Sequence, residues 1–129
     1  MTRPLKIFDL HEANAILPQL ETLLKELEDK QQDFRRLQDM LFFEELLEEI
    51  APPEEKIQQL EETLIKLEQE ISQIRELGCI LRHPEKGLVD FLGRRGEEWI
   101  YYCWRRGEEK VQFYHTLRGG FFERQPLNC

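Results

Sequence analysis

The hydrophobic pattern changes its period at Gly78, and this restricts the chain to helices first and strands after. Before the glycine, Ile57, Leu60, Leu64, Leu67, Ile71, Ile74 and Leu77 recur at three- and four-residue steps, a heptad-like helical seam. Beyond it, Leu88-Val89-Asp90-Phe91-Leu92 and the aromatic run from Trp99 to Trp104 read as strands, because they are short, rich in strand formers and bounded by turn residues. Nine of the 13 aromatic residues (8 Phe, 2 Trp, 3 Tyr) lie after Gly78, so this smaller half must bury large side chains.

The helical half opens on Asp9-Leu10-His11-Glu12, an N-cap Asp with Glu three residues on, which predicts a capping box and a helix from about Leu10. Its apolar stripe runs from Ala13 to Leu41. Pro18 falls inside that stripe and predicts a kink, or a short helix leading into a longer one. Phe42, Phe43, Leu46, Leu47 and Ile50 point in too many directions for one partner helix, so something else should cover them. Ala51-Pro52-Pro53 breaks the pattern, and Pro53 with Glu54 and Glu55 suits the start of a second helix. Gly78 suits its C-terminal cap.

In the second half, the pentapeptide Arg-Arg-Gly-Glu-Glu occurs twice, at 94–98 and 105–109, on either side of the aromatic strand. Each copy centres on a glycine between apolar runs, as turns of an antiparallel meander do. The expected strands are 88–92, about 98–105 and about 110–117, with Cys79-Ile80-Leu81 as a short extended segment and the phenylalanines of the tail pinning it to the body. The sequence thus predicts an α+β protein: a long antiparallel helical hairpin over residues 1–78, followed by a small three-stranded antiparallel β-meander and tail over 79–129, packed as a single domain. Ile100, Tyr102 and Trp104 are the expected helix-facing side of the central strand.

Composition narrows the partners. Residues 1–78 carry 9 Lys/Arg against 19 Asp/Glu, net −10, whereas 79–129 carry 9 against 7, net +2. The acidic helices repel phosphate backbones, and no RNP-like motif accompanies the aromatic strand, so nucleic acid is not an expected partner. No apolar run approaches the roughly 20 residues of a membrane span, and the start lacks a signal-peptide core. Three cysteines without a CxxC pair suit a reducing compartment, so a cytoplasmic location and no membrane association are expected. Two helices alone leave part of each stripe wet; the expected cover is a second hairpin, in a homodimer, with a further protein partner also compatible.

Candidate chemistry lies on the strands. Cys103 and His115 share a sheet face only if the second turn is one residue longer than a two-residue loop, which would put Cys103 opposite Gln112. Together they would make a nucleophile and base or two metal ligands; apart, they are buried packing residues. Arg105, Glu108 and Arg124, with Arg94 and Arg95 nearby, offer an anion site, or else the arginines neutralise the glutamates of their own turns. No catalytic constellation is complete, no HExxH, EF-hand or ExxH spacing occurs, and no metal or resident cofactor is expected. The ligand-binding candidates are Cys103, Arg105, Glu108, His115 and Arg124.

Phe8-x4-Ala13-Asn14-x2-Leu17-Pro18, Gly87-Leu88-Val89-Asp90-Phe91, Tyr102-Cys103-Trp104-Arg105, Gly107-Glu108, Phe113-Tyr114-His115 and Gly120-Phe121-x2-Arg124-Gln125-Pro126-Leu127 resemble the bacterial domain-of-unknown-function family DUF2203 over nearly the whole chain. The motifs after residue 86 carry most of the specificity. Tyr114 stands where Trp is common and His83 where an acidic residue is common, which argues against His83 as a shared functional group. The resemblance implies a small cytosolic prokaryotic protein and no particular reaction. From the residues, the leading expectation is a non-enzymatic, self-associating interaction or scaffold module; the competing one is a small-ligand (anion) or metal-binding protein, possibly an enzyme, with its site on the aromatic sheet.

Overall fold

The fold is taken from a computed structural model that describes residues 6–48 and 53–127. Helix α1 (Leu10–Ala15) is followed after Ile16 by α2 (Leu17–Glu48), then by α3 (Glu54–Glu76). The capping box is present: the Glu12 amide donates to Asp9 Oδ1 at 2.7 Å and the Asp9 amide to Glu12 Oε1 at 3.2 Å. Pro18 sits in the first turn of α2, where its missing N–H is no loss, so the chain forms a short helix leading into a longer one. A single hairpin is therefore corrected to three helices among the described residues. Pro53 is the N-cap of α3, and Gly78, at φ +91°, takes the left-handed position after its last turn. Ile50, Ala51, Pro52 and Cys129 lie outside the described residues.

Helices α2 and α3 run antiparallel, with ion pairs Lys30–Glu70 and Lys56–Glu44 marking a shared register along their seam. Glu70 is buried there. Towards the far end of α2, Leu41 is buried but Phe42, Phe43, Leu46 and Leu47 are 58–77% exposed. Among the described residues, no helix is long and apolar enough to cross a membrane.

Among the described residues five antiparallel strands follow: β1 (Ile80–His83), β2 (Leu88–Arg95), β3 (Glu98–Arg105), β4 (Phe113–Thr116) and β5 (Gln125–Pro126), hydrogen-bonded in that order. The expected three strands become five because short segments pair at both edges. Neither edge strand has a period long enough to read, and Pro126 is tolerated only because β5 is an edge. Arg82 is the extra residue of a bulge between Leu81 and His83. A 3₁₀ turn, Phe121–Glu123, lies between β4 and β5. Phe122 is 95% exposed and pins nothing, contrary to expectation; Phe121 is half-buried.

One face of the sheet packs on the helices. Val89, Phe91, Ile100, Tyr102 and Trp104 join Leu17, Leu20, Leu24 and Leu27 of α2 and Leu67 and Ile74 of α3 in one cluster. Phe8 closes it from the N-terminal side, donating its amide to the Leu92 carbonyl at 2.7 Å and meeting the Phe91 ring edge-on at 5.1 Å.

The two identical pentapeptides fold differently. The first makes a tight two-residue turn, with Arg95 opposite Glu98 and Gly96 at φ +65°. After the second, the chain wanders to Phe113 before pairing resumes, and Cys103 lies opposite Phe113. The cause is tertiary. Arg106 pairs with Glu21 and Glu28 on α2, the Trp104 indole donates to the Glu108 carbonyl at 2.9 Å, and the Val111 amide donates to Asn14 Oδ1 at 2.7 Å. Self-neutralising turns are therefore corrected. Arg106 reaches across to α2, while Arg94 and Arg95 stack on Trp99 and Tyr114 at 4.9 and 4.4 Å.

Gly93 is where Phe8 crosses the sheet. A Cβ there would meet the Tyr102 ring at 2.4 Å and the Phe8 carbonyl oxygen at 2.8 Å, and neither is free to swing away. Gly93→Ala is expected to cost about 1–3 kcal/mol of stability, the usual range for overpacking. Urea unfolding checks this as a lower midpoint at unchanged m-value.

Candidate functional site

The other face of the sheet carries the polar cluster. Alternation along β2 puts Asp90 opposite Cys103 of β3, and the β3–β4 register puts His115 beside Tyr101, on the same face. Cys103 and His115 thus share a face, as the longer of the two loop lengths requires. Asp90, Cys103 and His115 are each no more than 4% exposed, because the segment from Leu117 to Phe121 lies over them. Between this cover and the sheet is a cavity of about 340 Å³, lined by the three polar residues, Arg82, Leu88, Leu117, Phe121 and two glycines.

Within the cluster, Asp90 Oδ2 is the hub. It accepts from Arg82 Nε at 2.9 Å and lies 3.0 Å from His115 Nε2. His115 Nδ1 lies 2.8 Å from the Thr116 carbonyl oxygen, which can only accept, so Nδ1 carries the hydrogen of that bond. Arg82 is held over the Tyr101 ring at 4.9 Å; burial favours loss of its proton, but the Asp90 carboxylate and then Tyr101 together outweigh this, so its guanidinium is harder to deprotonate. One potential ligand atom each from Asp90, Cys103 and His115 lies within 4.8 Å of the others.

The expected site residues divide. Cys103 and His115 line the cavity. Arg124 stands beside the Cys103 thiol but is clamped to Glu108, 3.0 Å from Oε2, and stacked between Phe113 and Phe121 at 4.1 Å from each. Glu108 also accepts from the Arg105 amide at 2.7 Å, and Arg105 lies over Phe121. Arg105, Glu108 and Arg124 therefore brace the tail against the β3–β4 connection. Asp90 and Arg82 join the site without a motif to mark them in the sequence. Asp90 is a charged residue flanked by Val89 and Phe91, a pattern that normally turns the charge to solvent; its burial needs cover on both faces, which strand alternation does not reveal.

A Cys/His nucleophile is not assembled. Both ring nitrogens of His115 face partners other than the thiol. Burial pushes the Cys103 thiol up to about 12, the Asp90 charge adds to this, and Arg124 opposes it. Cys79, buried against the end of α3, is likewise pushed up to about 11. The thiol is the form present at neutral pH. In folded protein stripped of metal ions with EDTA, iodoacetamide at pH 8 should leave Cys103 and Cys79 unmodified over an hour, and both should react once guanidinium unfolds the chain. Peptide mass spectrometry reads this, and fast alkylation of native Cys103 would contradict the assignment.

No curated protein and no solved structure matches the chain. The family model described as "Uncharacterized conserved protein (DUF2203)" matches residues 6–127, nearly its whole length and all the elements just described. By that match the chain belongs to the DUF2203 family.

Proposed function

We propose that this protein binds a small ligand in the cavity on the outer face of its sheet. The observation that carries the reading is the clustering of three buried polar side chains, Asp90, Cys103 and His115, around space sufficient for a small molecule. Burying Asp90 and His115 costs free energy that a purely structural role would avoid with apolar residues. Leu88, Leu117 and Phe121 supply an apolar wall and Arg82 a cationic edge, so the cavity suits a compact polar or anionic ligand, alone or with a metal ion. The reading is one of binding, with no reaction assigned, and the free thiols at Cys79 and Cys103 fit a cytoplasmic location.

Native mass spectrometry of protein purified without chelator tests it, together with thermal shifts from metal ions, inorganic phosphate and acetate. A retained mass or a stabilising probe is expected, and Leu117→Trp, which fills the cavity from a side chain already 49% exposed, should abolish it. Wild-type protein that keeps no extra mass and gains no stability from any probe would overturn the reading.

A second reading, self-association, rests on the far end of the helical hairpin. Met40, Phe43 and Leu47 lie on one side of α2 and Phe42 and Leu46 on another, and among the described residues it is the Leu41 side that is covered. With Ile57, Leu64 and Ile65 of α3, eight large apolar residues are 38–77% exposed. At on the order of 100 Å² apiece they approach the ~800 Å² per partner of a standard interface, and the occupant we assign is a second copy of this hairpin. Because both copies bring acidic rims, dimerisation should strengthen with salt. Sedimentation is expected to give a dimer at micromolar concentration and a monomer for Phe43→Glu/Leu47→Glu; a wild-type monomer at high salt would end this reading.

A further inference from the structure

The hydrogen-bond partners of His115 pose a problem that an additional cation solves. With its hydrogen on Nδ1, directed at Thr116, the neutral imidazole presents a lone pair at Nε2. That lone pair faces the Asp90 carboxylate, another acceptor, at 3.0 Å. Two acceptors hold this geometry only with a proton shared between them or a cation bound to both. Arg82, which donates to Asp90 Oδ2 at 2.9 Å, supplies positive charge to the carboxylate but none to the ring lone pair, and a metal ion bound by both groups supplies it to each.

We propose that Asp90, Cys103 and His115 form a mononuclear site for a first-row divalent metal ion of the zinc type, with the fourth position open to the cavity. The proposal rests on the reading of the cavity as a binding site and names its ligand. Carboxylate oxygen, imidazole nitrogen and thiolate sulfur are donors zinc accepts, and three protein donors plus one exchangeable position is the pattern of its reactive sites. Tetrahedral coordination at roughly 2.0–2.3 Å separates donor atoms by roughly 3.3–3.7 Å, so the present set, within 4.8 Å, needs only side-chain adjustment. The surroundings also suit a metal. The bond from His115 Nδ1 to a backbone carbonyl orients the ring and leaves Nε2 as the donor, as in most metal-bound histidines, and Arg82 supports Asp90 from outside. A dication supplies the charge that allows a thiolate in so buried a place.

On binding, M²⁺ takes the Asp90 carboxylate, the His115 Nε2 lone pair and the Cys103 thiolate, while the thiol proton and the proton shared between His115 and Asp90 pass to solvent, with no change in oxidation state. Cobalt(II) is the probe, because a thiolate ligand gives a near-ultraviolet charge-transfer band and tetrahedral geometry gives intense visible bands. The full chain should show both bands, saturating at one equivalent. Cys103→Ser should lose the charge-transfer band, whereas Cys79→Ser should keep it. His115→Ala should weaken Co²⁺ binding at least about 100-fold and Arg82→Gln about 10-fold. Circular dichroism confirms that each variant is folded, and the wild-type spectrum decides the matter if one is not. Absence of the thiolate band from folded wild-type protein, or its persistence in Cys103→Ser, overturns the metal site. If phosphate or acetate still binds and Leu117→Trp abolishes it, the cavity reading stands while the metal falls; if no probe binds, both fall.

Discussion

The hydrogen bond from the Val111 amide to Asn14 Oδ1 ties the connection between β3 and β4 to the first helix, and the site's arrangement depends on this tether. A strand's side chains alternate between faces, so one residue more or less in that connection would turn every side chain of β4 over. With the tether made, and Arg106 anchored on α2, pairing resumes with Phe113 opposite Cys103. His115 then falls on the face of Asp90 and Cys103. One residue earlier, it would have been driven towards the helices.

The two faces of the sheet serve different ends. The helix side holds the apolar mass, including Trp104, Phe91 and Phe8, all at most 2% exposed, and this burial is the main source of stability. The outer side holds Asp90 and His115, whose burial costs stability unless each polar atom is satisfied. Arg82, Thr116 and the cover from Leu117 to Phe121 partly offset that cost. The Glu108–Arg124 clamp, with Arg124 between two phenyl rings, keeps the cover in place. A small sheet thus becomes buried on both sides with only a short tail for its second layer.

Several elements are legible in the chain because their chemistry is local. The capping box at Asp9 and Glu12, the left-handed glycine after α3 and the change of period at Gly78 each follow from interactions within a few residues, and each is present. The edge strands are less legible, because segments of two to four residues have no period and pair only where a neighbouring edge receives them. Of the candidate site, Cys103 and His115 stand out as residues but not as neighbours. Asp90 does not stand out, because its setting among apolar residues has two readings, solvent-facing or buried, that only the cover distinguishes.

The repeated Arg-Arg-Gly-Glu-Glu draws the line between the two kinds of information. Turn chemistry and hydrophobic period are properties of short stretches, so the chain alone establishes an α+β class, the point where helices yield to strands, and a place between strands for both copies. It does not establish that identical pentapeptides make different turns, since they differ only in what surrounds them. Both central glycines, Gly96 and Gly107, have open space where a side chain would begin, but the first copy closes a hairpin between Arg95 and Glu98, whereas the second sends Arg106 to Glu21 and Glu28 and Glu108 to Arg124. Arg106 and Glu28 stand 78 positions apart along the chain, and no short stretch of sequence holds both; folding alone makes them neighbours.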